Sequence, residues 1–249
     1  MQFRQVFIQE YGNGRLEPEH KDVKESLERK KIPFTLFTRK KLERRQLPID
    51  RACMVVGDHL TIRLALKQLG IGNQDKNCYP ASLEYLLKRR IWTSTLREVL
   101  LKSETGFQSV FVKPKDDLKR FTGFVVQEPG DLYKAGGASR SLPVFCSEVV
   151  SWRSEFRVFV TNGAIAGMKY YAGDETILPD EEIVKNAIRT LEQSGEATKG
   201  YGIDFGVLEN GETALIEWND GYSLGSYGLN GDLYTDLLMA RWEELMEEA

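Results

Sequence analysis

"GYGIDFGVLENGETALIEWND", residues 200–220, reads as two β-strands joined at Asn210-Gly211. That pair is favoured by a two-residue type I′ turn, which needs positive φ at both central positions. Counting outward from such a turn, Glu209 faces Glu212 and Asp204 stands opposite Glu217. Side chains alternate along a strand, so Ile203, Phe205, Val207, Ala214, Ile216 and Trp218 share one apolar face. Asp204 and Glu217, with Asn219 one step beyond, share the other. Two carboxylates directly opposite one another repel unless a positive charge lies between them. Two counterparts meet that demand. One is a lysine or arginine. The other is magnesium, which takes oxygen ligands from one or two carboxylates together with phosphates and water.

The same texture runs back from this hairpin. "GFQSVFVKP", "FTGFVVQ", "PVFCSEVV" and "SEFRVFVTNGAIAGMKYYAG" are short apolar strands with turn signals, which predicts a largely antiparallel sheet in the back half. Helices over 178–195 and 231–249 interrupt and close it, the first with an acidic opening turn at Asp180, Glu181 and Glu182. Residues 78–103 read as mostly helical, with a break near Thr93. The first 75 residues differ. Strands "QVFIQEY", "PFTLFT" and "ACMVVG" alternate with helical patterns, which predicts a small βαβα unit with a parallel sheet. Val23 and Leu27 are spaced i,i+4 on its first helix, while Leu60, Leu64 and Leu69 lie on one side of a later one that closes on Gly70. The fold class is therefore α/β at the N-terminus and α+β beyond it.

Bulk properties exclude several functions. The formal charge of −3 gives no electrostatic case for nucleic acid as a partner. No apolar run approaches the roughly 18 residues of a membrane span, and the N-terminus lacks the apolar core of a signal peptide. Three cysteines, Cys53, Cys78 and Cys146, are unpatterned and read as buried, reduced thiols, which suits a cytoplasmic protein. His20 and His59 are too few and too far apart for a zinc cluster. The basic run from Arg39 to Arg45 reads as a solvated face. No GxxxxGK[ST] and no GxGxxG occurs, so the common phosphate-loop and dinucleotide signatures are absent.

Cations nevertheless stand at strand ends. "VFVKP" finishes an apolar strand on Lys113, and "KRFTG" places Lys119 in a charged loop before the next strand. Two lysines bracketing a loop beside a magnesium site would neutralise nucleotide phosphates as point charges. Arg157 in "SEFRVFV" shares a strand face with Glu155 and Phe159, and its partner is either Glu155 or an anion. Glu148, just after a strand, is placed to hydrogen-bond a ribose.

Taken in order, these pieces resemble the ATP-grasp superfamily over residues 50–230, and more narrowly a compact clade known mainly from bacteria and phages. The resemblance rests on "VFVKP", "KRFTG", "CSEVV", "SEFRVFVTNG", "GIDFG" and "IEWND". It implies a nucleotide site between two α+β subdomains divided near 147–150, within residues 76–249. Residues 1–75 would be the family's pre-ATP-grasp unit. Asp204, Glu217 and Asn219 would be magnesium ligands and Lys113 an α/β-phosphate contact. Arg157 would stabilise the transferring γ-phosphate or an acyl phosphate, and Lys119 with "FTG" would cover the phosphates. Peptide-forming members carry a second arginine where this chain reads "MKYYAG", and an Asn162-Gly163 turn would put Tyr170, not Lys169, on Arg157's face. The implied activity is an ATP- and Mg²⁺-dependent, ADP-forming carboxylate–amine ligase acting through an acyl phosphate on a small molecule or peptide. The alternatives are a kinase on the same site or a non-catalytic binding protein. Substrate contacts are expected from the N-terminal unit, from 129–145 and from Tyr222–Asn230.

Overall fold

The computed structural model describes residues 3–72, 77–104, 108–116 and 120–247, and within them the chain forms three small sheets. The first is parallel, in the order β2-β1-β3, from β1 (Gln5–Gln9), β2 (Phe34–Phe37) and β3 (Cys53–Val56). Helix α1 (Pro18–Lys30) opens on a proline, whose missing N–H would have no helical partner there, and buries Val23 and Leu27. The basic run forms α2 (Arg39–Glu43), a short helix whose charged side chains face solvent.

Helix α3 (His59–Gln68) is capped by Asp58, whose side chain accepts from Thr61 N at 2.8 Å. Its inner stripe is Thr61, Ile62, Ala65 and Leu66; Leu60 is 58% exposed. The expected Leu60–Leu64–Leu69 side is thus only half right. Leu64 and Leu69 pack partly against the core, while Leu60 is turned toward the cleft described below.

Helix α6 (Gly231–Glu247) folds back onto this unit. Trp242 donates its indole N–H to Cys53 O at 2.9 Å, and Ser26 and Lys30 of α1 bond Asp232 and Asp236. Trp242 and Leu245 join Val6, Ile8 and Val23 in one core, so both ends of the chain share the same buried surface. Each such side chain contributes about 2–3 kcal/mol by burial.

The second sheet is antiparallel, in the order β4-β7-β5-β6: β4 (Ile91–Thr95), β5 (Val110–Pro114), β6 (Phe124–Val126) and β7 (Pro143–Glu148). The mostly helical reading of 78–103 is corrected here. A 3-10 turn at Ala81–Leu86 is followed by β4 and only then by α4 (Leu96–Glu104). The β-branched and aromatic run Ile91–Thr95 finds a partner in β7, which outweighs weak local helix propensity. Thr95 and Glu98 exchange backbone–side-chain hydrogen bonds in a capping box, a legible helix start that fixes the boundary.

The third sheet, order β11-β10-β8-β9, contains β8 (Trp152–Thr161), β9 (Ala164–Gly173), β10 (Gly200–Leu208) and β11 (Thr213–Asp220), all antiparallel. Helix α5 (Glu181–Ser194) starts at its Asp180 cap and packs Val184, Ala187, Ile188 and Leu191 on one face of this sheet, against Val158, Val160, Ile203 and Phe205. The three cysteines are buried and free.

The β10–β11 hairpin keeps the Asp204–Glu217 pairing by a route the sequence did not suggest. Leu208 N bonds Glu212 O at 2.9 Å, so the loop is the three residues Glu209–Gly211, with Gly211 at φ +85°. That shifts the ladder by one, giving Phe205↔Leu215. A bulge at Ile216 shifts it back, giving Asp204↔Glu217. The two departures cancel at the carboxylates but not between them. Leu215, not Ile216, joins Phe205 in the core, and Ala214 leaves the apolar face to stand opposite Gly206.

Candidate active site

A cleft of about 790 Å³ opens between the two antiparallel sheets and the N-terminal unit. Lys113, Arg157, Glu217 and Asn219 line it, as do Phe121, Thr122 and Gly123 of the expected phosphate-covering loop. Lys119 lies outside the described residues. A second cavity of about 270 Å³ adjoins it, sharing Lys113, Glu155, Ile216 and Glu217, and is lined also by Glu148, Val149 and Val150. Glu148 accepts from Arg90 N at 2.9 Å.

Two ion pairs occupy the centre. Arg157 meets Asp204 side by side, Nε to Oδ1 and Nη2 to Oδ2, both at 2.7 Å. The two residues are cross-strand partners on β8 and β10, so the sheet itself sets this geometry. Lys113 Nζ reaches from the other sheet to Glu217 Oε2 at 2.6 Å. Asn219 Nδ2 ties the halves together, 3.3 Å from Asp204 Oδ2 and 3.1 Å from Glu217 Oε1. Arg157 thus pairs with Asp204, not with Glu155, which accepts instead from the Tyr171 hydroxyl at 3.0 Å.

Burial dominates the electrostatics. Asp204 is 2% exposed, and burial pushes its carboxyl up to about 6 despite the adjacent Arg157 guanidinium. Burial acts the same way on Glu217, but the Lys113 ammonium and the Asn219 amide outweigh it and hold that carboxyl below the usual range. Burial works against the charge of Lys113 and Arg157, and Glu217 and Asp204 respectively more than restore it. The protein therefore compensates Glu217 fully and Asp204 only in part.

The donor set fits magnesium. Two carboxylates and an amide oxygen on adjacent strands are hard ligands of the kind magnesium takes. No group of three or more His, Cys, Asp or Glu among the described residues would hold a metal unaided, so phosphate oxygens and water would complete the shell.

Backbone irregularities add residues that alternation conceals. The bulge turns Ile216 toward the cleft beside Glu217, and Arg89 steadies it by donating to Leu215 O at 2.8 Å and Ile216 O at 2.9 Å. A Cβ at Gly206 would collide with the Trp152 ring, and one at Gly202 would press on Arg157 Cδ at 3.1 Å. The glycines flanking Asp204 at period two are the signal that this face is occupied by large neighbours. In β9 a bulge at Ala166 places Lys169, rather than Tyr170, opposite Arg157, correcting the expected register. A second bulge turns Tyr171 into the cleft, where its ring packs on Tyr227 at 5.4 Å, and the Arg157 guanidinium lies 5.0 Å from the Tyr227 centroid. Tyr222–Tyr227 and the N-terminal unit supply further walls as expected, whereas no residue of 129–145 lines either cavity.

Residues 86–237 match the family model described as an ATP-grasp domain, the second family of its clade. Solved structures are similar over nearly the whole chain. D-alanine–D-alanine ligase from Bacillus anthracis gives a TM-score of 0.61 at 13% identity, covering 99% of both chains. N5-carboxyaminoimidazole synthase from Aspergillus clavatus, solved with ADP and 5-aminoimidazole ribonucleotide, gives 0.60 at 13% identity, covering 98% of this chain and 79% of that one. The ATP-grasp ligase PsnB, solved with a precursor variant, Mg and ADP, gives 0.55 at 12% identity, covering 97% and 99%. At such identities the likeness concerns the fold. No curated protein matches the sequence.

Proposed function

The chain belongs to this ATP-grasp domain family, and from that premise we propose that it is an ATP- and Mg²⁺-dependent carboxylate–amine ligase. The single observation that carries the reading is the convergence of Lys113, Arg157, Glu217 and Asn219, from two different sheets, on one cleft, with the buried Asp204 bonded to Arg157 and Asn219. In this reading residues 1–75 are the substrate-facing unit, and 76–249 bind nucleotide between subdomains that divide near 147–150.

Asp204, Glu217 and Asn219 would hold magnesium, which when bound supplies charge neutralisation at the phosphates. Ile216, with Val149 and Val150, provides an apolar lining for a base in the smaller cavity, and Glu148 a carboxylate for base or ribose. Lys113 shifts from Glu217 to the nucleotide phosphates, and Lys119 and Thr122 belong to the loop that covers them. Arg157 stabilises charge on the phosphoryl group as it moves to a substrate carboxylate. The substrate oxygen attacks the γ-phosphorus and releases ADP; the amine then attacks the acyl carbon and expels phosphate. No side-chain nucleophile is needed, so the protein acts by position and charge.

No helix among the described residues is long and apolar enough to cross a membrane, and a cytoplasmic location suits three free thiols. The test is the nucleotide product. Ligase chemistry gives ADP and, with hydroxylamine and the right carboxylate, a trapped hydroxamate. A kinase would leave a stable phosphorylated product and no hydroxamate. AMP with pyrophosphate would overturn both.

A further inference from the structure

We propose that Tyr227 is a positioning residue for the reaction. Its ring fixes the plane of the Arg157 guanidinium and so aims the arginine's unpaired N–H groups at the transferring phosphoryl group. Tyr227 acts here through Arg157, so this rests on the role proposed above for that arginine.

Residues 226–229 form a tight turn, closed by Leu229 N donating to Ser226 O at 2.8 Å. Both central residues have positive φ, +45° at Tyr227 and +74° at Gly228. Turns of that kind take Asn, Asp or Gly at the first central position, and a bulky side chain there is an outlier. The same chain serves nearly the same angles, +49° and +75°, with Asn162-Gly163 between β8 and β9. A tyrosine in place of that asparagine is strained, and such strain persists only where the surroundings hold the residue.

What holds it is the centre of the cleft. The Arg157 guanidinium carbon lies over the Tyr227 ring, 5.0 Å from its centroid, and Tyr171 packs on the same ring at 5.4 Å. Tyr227 lines the cleft and is 47% exposed, so burial of apolar surface does not account for its place. Arg157 is already fixed along one edge. Asp204 takes its Nε–H and one N–H of Nη2, and its stem passes Gly202, where a Cβ would press on Cδ at 3.1 Å. In-plane hydrogen bonds along one edge leave the guanidinium free to rock about that edge, and a ring on its face blocks the motion. The Nη1 N–H groups and the second of Nη2 have no acceptor among the described residues. Arg157 lines the cleft, so these are the donors left for an anion. A planar fork meets phosphate oxygens in its own plane, so the tilt that Tyr227 sets decides which oxygens it reaches.

The test is the preference for a triphosphate over a diphosphate: the Kd of ADP divided by that of a non-hydrolysable ATP analogue, titrated calorimetrically on the full chain with Mg²⁺. Tyr227→Asn gives the turn the residue its angles favour and removes the ring. The preference should fall about tenfold through weaker analogue binding, while ADP affinity and the thermal midpoint hold. Tyr227→Phe keeps the π face and should stay within about twofold of the wild type. Arg157→Lys keeps a charge beside Asp204 but has no planar fork, so adding Tyr227→Asn to it should change the preference by less than about twofold. The proposal is overturned if Tyr227→Asn weakens ADP and the analogue alike with a lower thermal midpoint, the mark of a merely structural ring. It is overturned equally if Tyr227→Phe behaves like Tyr227→Asn, or if the Tyr227 and Arg157 effects multiply. Arg157→Lys with the wild-type preference would remove the arginine's role, and that of Tyr227 with it. The ligase reading fails separately, by AMP or a stable phosphorylated product, and a phosphorylated product would leave this comparison intact.

Discussion

The two antiparallel sheets that face each other across the cleft are built differently. β4-β7-β5-β6 pairs without a register shift, and it contributes one charged side chain to the centre, Lys113 at the end of β5. β11-β10-β8-β9 carries shifts between Asp204 and Phe205, Val207 and Leu208, Glu155 and Phe156, and Phe159 and Val160. A regular strand sends every second side chain away from a site, whereas a bulge presents two in succession. Ile216 and Glu217 reach the cleft together for that reason, and Tyr171 joins Glu155 for the same one. The regular sheet closes the cleft; the bulged sheet furnishes it.

The largest effect that bears on this contrast is expected at Glu217. Glu217→Gln keeps size and removes one charge, so ATP turnover should fall by about 10²–10³-fold in a protein that remains folded by circular dichroism. Activity within a few-fold of wild type would remove the bulged sheet's claim to the chemistry.

Neighbouring truncations test the bulge itself. Leu215→Ala opens the core beside Phe205 and should cost about 2–5 kcal/mol in denaturant unfolding, with nucleotide affinity little changed. Ile216→Ala should cost less than half as much stability and instead raise the KM for ATP several-fold at constant kcat. A regular hairpin would exchange these outcomes.

Arg89 and Arg90 compare the supports of the two sheets. Arg89→Met leaves the carbonyls of Leu215 and Ile216 without their buried donor, and should lose about 2–3 kcal/mol together with part of kcat/KM. Arg90, which lies over the Trp92 ring of the regular sheet at 4.7 Å, should tolerate the same change within about 0.5 kcal/mol. Equal losses would mean that the bulge needs no such support.

The smallest effect concerns the regular sheet's own contribution. Lys113→Met should keep the fold and weaken ATP binding about tenfold, near 1.4 kcal/mol, in a direct titration. Unchanged affinity would count against Lys113 as a phosphate ligand.

Much of this is legible in the chain. The parallel N-terminal unit follows from strand and helix periods that alternate over short distances, because each element there buries one continuous stripe. The Asp204–Glu217–Asn219 set is readable because carboxylates at the end of an apolar strand need a counter-charge wherever the strand packs. The strand character of Ile91–Thr95 escapes a local reading because it depends on β7, some fifty residues downstream, although the Thr95–Glu98 capping box marks where its helix starts.

Periodicity by itself set Asp204 apart from Ile203 and Phe205 on one strand, and Glu217 with Asn219 apart from Trp218 on the other, since alternation is a local property of extended backbone. That the two carboxylates face each other came from two register departures that cancel. Only the tertiary structure decided which cation answers each carboxylate. It also decided that Lys169 stands opposite Arg157 and that Ile216 turns into the cleft. Those outcomes depend on inserted residues at bulges, and a bulge is selected by partners distant in sequence: Arg89 holding two carbonyls, Trp152 filling the space over Gly206, and Tyr227 under Arg157. A pattern that repeats every two residues carries no record of where one residue is skipped.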